Sequence, residues 1–414
     1  MDGRFPKNFG KAAVYRKFFA VRAAKQAALQ KRRNIMNKFA KIASCVLAGT
    51  MVLSTSAFAA DTWKVGGIGP TTGGAAVYGQ AVANAMQIAA DEINEAGGIN
   101  GYQVEINFQD DEHDAEKAVN AYNTLKDWGM QILEGTVTST PCIAVAAETL
   151  NDNMFQITPS GSAQECAAGA NAFRVCFTDP AQGTMSALYI GEHGLAEKVA
   201  IIYNSSDVYS TGIYETFVTE AESQGFEVVS VEAFTEDSKT DFSVQLQKAK
   251  EAGADLVFLP IYYTEASLIL TQAAAMEYAP TFFGVDGMDG ILDVEGFDTT
   301  LAEGVMLLTP FVASAEDELT QNFVSKFEEL YGGIPNQFAA DAYDGLYAIK
   351  AAAEASDLNP DMSISDICEG LKAGMTSITF DGLTGAGCTW DENGEPTKDP
   401  KAMVIENGVY APME

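Results

Sequence analysis

Two short runs of small hydroxyl residues and three more distant side chains are the parts of this 414-residue chain whose types and placing can do chemistry. Thr138-Ser139-Thr140 stands before a predicted helix, and Thr158 to Ser162 follows a predicted strand. Hydroxyls and free backbone N–H groups at a helix N-terminus suit an anion such as a carboxylate. Ordinary N-capping accounts for either run by itself, because Ser and Thr favour those positions in any helix. Asp286 lies two residues beyond a predicted strand, and Tyr209 and Tyr262 each follow another. An acid and two aromatic rings facing the hydroxyl runs would suit a zwitterion: hydroxyls and amides for its acid end, Asp286 for an ammonium, the rings for closure. Against this stands the ordinary solvated acid, one of 57 in the chain.

Other chemistries find less support. The stretch Gly67-Ile68-Gly69-Pro70-Thr71-Thr72-Gly73-Gly74 lacks the third glycine of a dinucleotide loop, and Pro70 removes an N–H donor. No Walker-type lysine accompanies it. The two histidines, His113 and His193, have no metal-ligand spacing and are read as surface residues. Pro159-Ser160-Gly161-Ser162-Ala163 follows a strand, as a hydrolase nucleophile does, but does not fit G-x-S-x-G. The expectation is a protein that is not an enzyme, with no catalytic residue, metal or cofactor.

The elements that must position these residues alternate. Strands are predicted at 63–68, 104–108, 130–133 and 154–157, separated by helices at 82–93, 115–127 and 142–151. Val82, Met86, Ala89 and Ile93 mark one face of the first helix. A second series starts near Pro180, with helices at 181–193, 213–224, 242–251 and 266–278 and strands at 199–203, 227–231, 256–259 and 281–284. A strand at 305–308, helices at 316–331 and 338–355 and a turn-rich tail complete the chain. Such alternation implies parallel sheets covered on both faces, in which ligands sit beyond the carboxyl ends of strands.

Residues 1–60 hold twelve of the 25 Lys/Arg and one of the 57 Asp/Glu, so the other 354 residues carry a formal charge near −43. A body this acidic repels nucleic acid and anionic lipid, and is expected to be soluble and monomeric. From Met36 the chain reads as a signal peptide over 36–59: Lys38 and Lys41, an apolar run at 42–53, then Ala57-Phe58-Ala59 as the cleavage site. The run is shorter than the roughly 20 residues of a membrane span. Residues 1–35 form a basic, Ala-rich extension, read as a misplaced start codon. Ile42-Ala43-Ser44-Cys45 resembles a lipoprotein box, but its cysteine precedes most of the apolar run, so periplasmic release is preferred to a lipid anchor. Of the remaining cysteines, Cys166–Cys176 and Cys368–Cys388 are expected as local disulfides in an oxidising compartment, leaving Cys142 over. The length calls for two lobes.

Gly97-Gly98-Ile99-Asn100-Gly101, Asp110-Asp111, Ile157-Thr158-Pro159, Asp207-Val208-Tyr209, Asp241-Phe242-Ser243 and Thr389-Trp390-Asp391 occur in an order and spacing that resembles the leucine/isoleucine/valine-binding proteins. These are the type I periplasmic amino-acid-binding proteins of ABC transporters. The likeness runs from about Trp63 to the C-terminus. It implies an α/β, type I periplasmic-binding-protein fold: two doubly wound parallel-sheet lobes joined by a three-crossover hinge. Lobe one would take residues 62–178 plus 310–388, and lobe two 179–309 plus 389–414. The resemblance assigns the ligand carboxylate to Ser139, its amino-acid moiety to Ser160, Gly161 and Ser162, closure to Tyr209 and Tyr262, and the ammonium to Asp286. It places Tyr78, Val137, Thr138, Gly161 and Phe338 around the ligand side chain. His113 and Thr138 stand where some members have disulfide partners. The implied partners are a free amino acid, branched-chain or related, and an ABC transporter permease. Service to a chemoreceptor or sensor, or binding of urea and short amides, are the rival readings.

Overall fold

The computed structural model describes residues 62–398 and 400–413. The basic extension, the signal peptide and the lipoprotein-box cysteine expected from sequence fall outside those residues. Strands β1 (Trp63–Gly69), β2 (Val104–Asp110), β3 (Ile132–Gly135), β4 (Gln156–Thr158) and β5 (Ala172–Arg174) form one parallel sheet in the order β2-β1-β3-β4-β5. Helices α1 (Ala76–Glu95), α2 (Ala115–Trp128) and α3 (Ser139–Asp152) connect them. Every residue of β3 is buried, the mark of a strand covered on both faces.

A second lobe repeats the plan. It alternates helices α4 (Asp179–Glu192), α5 (Val208–Ala221), α6 (Ser243–Ala252) and α7 (Tyr263–Ala275) with strands β6 (Lys198–Asn204), β7 (Glu227–Phe234), β8 (Leu256–Leu259), β9 (Thr281–Gly284) and β10 (Met306–Thr309). The chain then returns to the first lobe as α8 (Glu318–Tyr331), α9 (Gln337–Ala355), α10 (Ile364–Met375) and the hairpin β11 (Phe380–Gly382)–β12 (Gly385–Cys388). Helix α9 packs along α1 and α10, and 14 of its 19 residues are buried, so it serves as core rather than as an amphipathic cover. Last come β13 (Lys401–Glu406), antiparallel to β10, and β14 (Val409–Pro412), antiparallel to β13, which extend the second sheet in the order β14-β13-β10-β9-β8-β6-β7. The chain therefore passes between the lobes three times, and the fold is the type I arrangement.

Three expectations need correction. Residues 389–398 lie on the first lobe, not the second. The Trp390 indole donates to the Arg174 carbonyl at 2.7 Å, Glu395 pairs with the Arg174 guanidinium at 3.0 Å, and buried Lys398 pairs with Asp341 at 3.0 Å. The third passage thus falls between Lys398 and Lys401. The tail also holds a helix and four strands, each strand only three to six residues long. Runs that short carry no readable periodicity, and β5, with three residues, escaped for the same reason. Finally, Cys142, Cys166, Cys176, Cys368 and Cys388 are all buried free thiols. Cys166 packs beside Cys142 under the 163–167 turn, while the Cys368 thiol on α10 faces Asn153 at 3.6 Å. Neither expected disulfide is present, because proximity in sequence did not bring those thiols into register.

Candidate ligand-binding site

Both lobes present the carboxyl ends of their strands to one shared cleft. Its lining comprises Tyr78, Val137, Thr138, Ser139, Ser160, Ser162, Tyr209, Tyr262, Asp286, Gly287 and Phe338, around a space of about 220 Å³. Ten of the eleven positions singled out from sequence meet there. Gly161 does not. Its N–H donates to the Thr158 hydroxyl at 2.7 Å, its carbonyl accepts from Arg174 at 3.1 Å, and a Cβ built on it would lie 2.9 Å from the Cys142 sulfur. Gly161 therefore faces α3 and allows the loop to pack there, which sets Ser160 and Ser162 toward the cleft.

The wall from the first lobe is polar and donor-rich. Helix α3 starts at Ser139, two to three residues earlier than the apolar pattern suggests. Its N-cap residue Thr138 makes no side-chain capping bond, so the first-turn amides keep their partial positive charge. The Ser139 hydroxyl accepts the Ala163 N–H at 3.2 Å, tying the helix start to the neighbouring loop. The Ser160 hydroxyl donates to the Val137 carbonyl at 2.6 Å, which leaves its lone pairs as acceptors. The Ser162 hydroxyl is buried beside the Asp179 carboxyl without a hydrogen bond of good geometry. Arg174, itself fully buried, donates to the carbonyls of Gly161, Ser162 and Gln164 and so fixes the loop's path.

The opposite wall is acidic and aromatic. Asp286 is 3 % exposed, and its Oδ1 accepts from the Tyr209 hydroxyl at 2.5 Å and the Gly287 N–H at 2.7 Å. Burial pushes its carboxyl up to about 6, against the opposing pull of those bonds. The Gln182 side chain accepts the Asp286 N–H at 3.0 Å, an anchor that sequence gave no sign of. Gly287 is required because a Cβ there would lie 2.6 Å from the Tyr209 hydroxyl oxygen. The Tyr209 ring stacks on Tyr262 at 4.7 Å and 7°, and the Tyr262 hydroxyl is buried without a partner. Tyr78 crosses from the first lobe: its hydroxyl donates to the Gly287 carbonyl at 2.5 Å, and its ring lies 4.2 Å from Phe338. With Val77 N–H donating to the Tyr263 hydroxyl at 3.2 Å and Thr264 to the Gly74 carbonyl at 2.6 Å, these bonds hold the lobes together over the cleft.

His113 belongs to this region too, contrary to its reading as a surface residue. Its Nδ1 lies 2.8 Å from the Thr138 hydroxyl, and its ring meets Tyr262 edge-on at 5.5 Å. His193 is exposed as expected. Among the described residues no group of His, Cys, Asp or Glu is placed to hold a metal, and no helix is long and apolar enough to cross a membrane.

Two doubly wound lobes that close strand-end loops over a buried cleft define a two-lobed solute-binding protein. The chain belongs to the periplasmic binding protein family, whose sequence profile matches residues 62–408. Its likeness to the Leu/Ile/Val-binding group holds as well. It is 27% identical over 85% of its length to the leucine-, isoleucine-, valine-, threonine-, and alanine-binding protein of Pseudomonas aeruginosa, covering 91% of that protein. Among solved structures, it resembles the branched-chain amino acid transporter substrate-binding protein LivJ from Streptococcus pneumoniae in complex with isoleucine. The TM-score is 0.77 at 27% identity, over 84% of this chain and 98% of that one. An ABC transporter solute-binding protein from R. palustris in complex with benzoate shares the fold, with a TM-score of 0.75 at 19% identity over 85% of this chain and 96% of that one.

Proposed function

We propose that the protein is exported and captures a free amino acid between its lobes for delivery to an ABC importer. The observation that carries this is the opposition of two charges-in-waiting across one cleft. The uncapped N-terminus of α3 with Ser139 faces it from the first lobe, and the buried Asp286 carboxyl from the second. A carboxylate suits the first and an ammonium the second, so each end of a zwitterion is paired as it leaves water. Ser160, able only to accept, adds a second partner for the ammonium, and the Ser162 hydroxyl, beside the Asp179 carboxyl, lines the same wall. Tyr209, Tyr262, Tyr78 and Phe338 cover the bound molecule. The names of the relatives point to branched-chain and other small amino acids, and the cleft's compact aromatic walls suit a short side chain.

Thermal shift of residues 60–414 against the twenty amino acids, urea and short amides tests this reading. Stabilisation by one or a few amino acids, with the ligand recovered unaltered, is the expected result. A shift with urea or an amide and none with any amino acid sinks it.

A further inference from the structure

The part of the cleft left for the ligand side chain is not uniformly apolar. Once Ser139, Ser160, Ser162 and Asp286 are assigned to the two charged ends, the remaining wall is Tyr78, Val137, Thr138, Tyr209, Tyr262, Gly287 and Phe338, and the Tyr209 hydroxyl is already committed to Asp286. The Tyr78 hydroxyl is occupied by the Gly287 carbonyl. Thr138 is different. It is 3 % exposed and lines the cleft, and its hydroxyl bonds to one group among the described residues, His113 Nδ1.

A hydroxyl has one donor and two acceptor positions, so this bond leaves capacity turned toward the cleft. His113 is a built support for that hydroxyl. Its backbone N–H donates to the buried Asp111 carboxylate at 2.9 Å. Glu112 and His113 both take left-handed φ values, 51° and 61°, which side chains other than glycine adopt only when the surroundings hold them there. The pair forms within the first lobe, and its ring packs edge-on against Tyr262 of the second. Burial holds the imidazole below its ordinary range, partly offset by Glu236, with Lys239 and Asp114 also facing the ring, and so keeps it neutral. A neutral ring can orient the Thr138 hydroxyl without placing a cation beside the ligand.

Resting on the amino-acid reading above, we infer that the His113–Thr138 pair selects a short, hydroxyl-bearing side chain over the aliphatic side chain of the same shape. An aliphatic group pressed on Thr138 would strip water from its hydroxyl and offer nothing in return. A ligand hydroxyl would replace that water.

Threonine and valine are the decisive probes, since they differ by a hydroxyl in place of a methyl. In calorimetry on residues 60–414, threonine is expected to bind about tenfold or more tighter than valine. Thr138→Val should abolish or reverse that preference while Thr138→Ser keeps it. His113→Leu should lower the threonine-to-valine ratio more than it lowers valine affinity, a split that loss of packing alone does not produce. Melting curves of each variant report whether the fold is intact. Valine bound as tightly as threonine, or binding of other amino acids with neither of these two, overturns the inference and leaves the amino-acid reading standing. Binding of none of the twenty overturns both.

Discussion

The proposed pairing of Asp286 with a ligand ammonium predicts an affinity that depends on pH with a defined sign. Burial raises the Asp286 carboxyl to about 6 with the lobes together. An ammonium placed against it favours the ionised form, so binding lowers that value again. Affinity is therefore full above about pH 6 and is lost as pH falls through it, until the lower value of the liganded state is reached. Near pH 5, one unit below, roughly one molecule in ten carries the carboxylate, and affinity should fall about tenfold. Around pH 6 binding should release about half a proton, measurable by titration calorimetry in two buffers of different ionisation heat. Asp286→Asn keeps the shape but not the charge. It should weaken binding by about 2–5 kcal/mol and remove this pH step. Asp111, Asp207, Asp289 and Asp341, whose carboxyls are also raised by burial to about 7, 7, 6 and 6, remain in that variant, as does Asp179, raised by burial beside Ser162, so a residual slope belongs to these buried acids. A slope unchanged in Asp286→Asn, or an affinity that rises on acidification, would refute the pairing of Asp286 with an ammonium.

Other perturbations follow from the same geometry. Tyr209→Phe deletes the 2.5 Å bond to Asp286. It should weaken binding by about 1.5–3 kcal/mol and move the pH midpoint upward, as read by calorimetry across pH. Arg174→Met leaves three loop carbonyls and Glu395 without their donor, and should lower unfolding free energy by about 3–5 kcal/mol in urea titration while also weakening the ligand. Fluorescent thiol reagent should label none of the five buried cysteines quickly in the native protein and all five after denaturation; a smaller count in denaturant would reveal a disulfide.

The site was legible where recognition depends on position relative to a strand end. Ser139, Ser160, Tyr262 and Asp286 each follow a strand whose apolar run is visible in the sequence, so the carboxyl-end rule of parallel sheets places them on one side. Tyr209 was expected in a loop and lies in the first turn of α5, which changes its support but not the cleft it faces. Gly161 stands apart from the cleft lining because a glycine between two serines looks the same whether it faces cleft or helix; the Thr158 hydroxyl and Cys142 sulfur behind it set its side. His113 and Gln182 act through contacts 25 and 104 residues away in the chain, and no local pattern encodes such reach. The cysteines failed for a similar reason: spacing says how near two thiols can come, and helix packing says where they go.

The three passages between the lobes also set what the molecule can survive. A protease cut in any one of them leaves two strands of chain still bridging the halves, so a nicked molecule would stay in one piece and keep its cleft aligned. The same triple tether resists swivelling, since twisting one half on the other would have to wind three segments around each other. What remains soft is a single bending motion, the one that parts Tyr78 from Gly287 and lets a solute in.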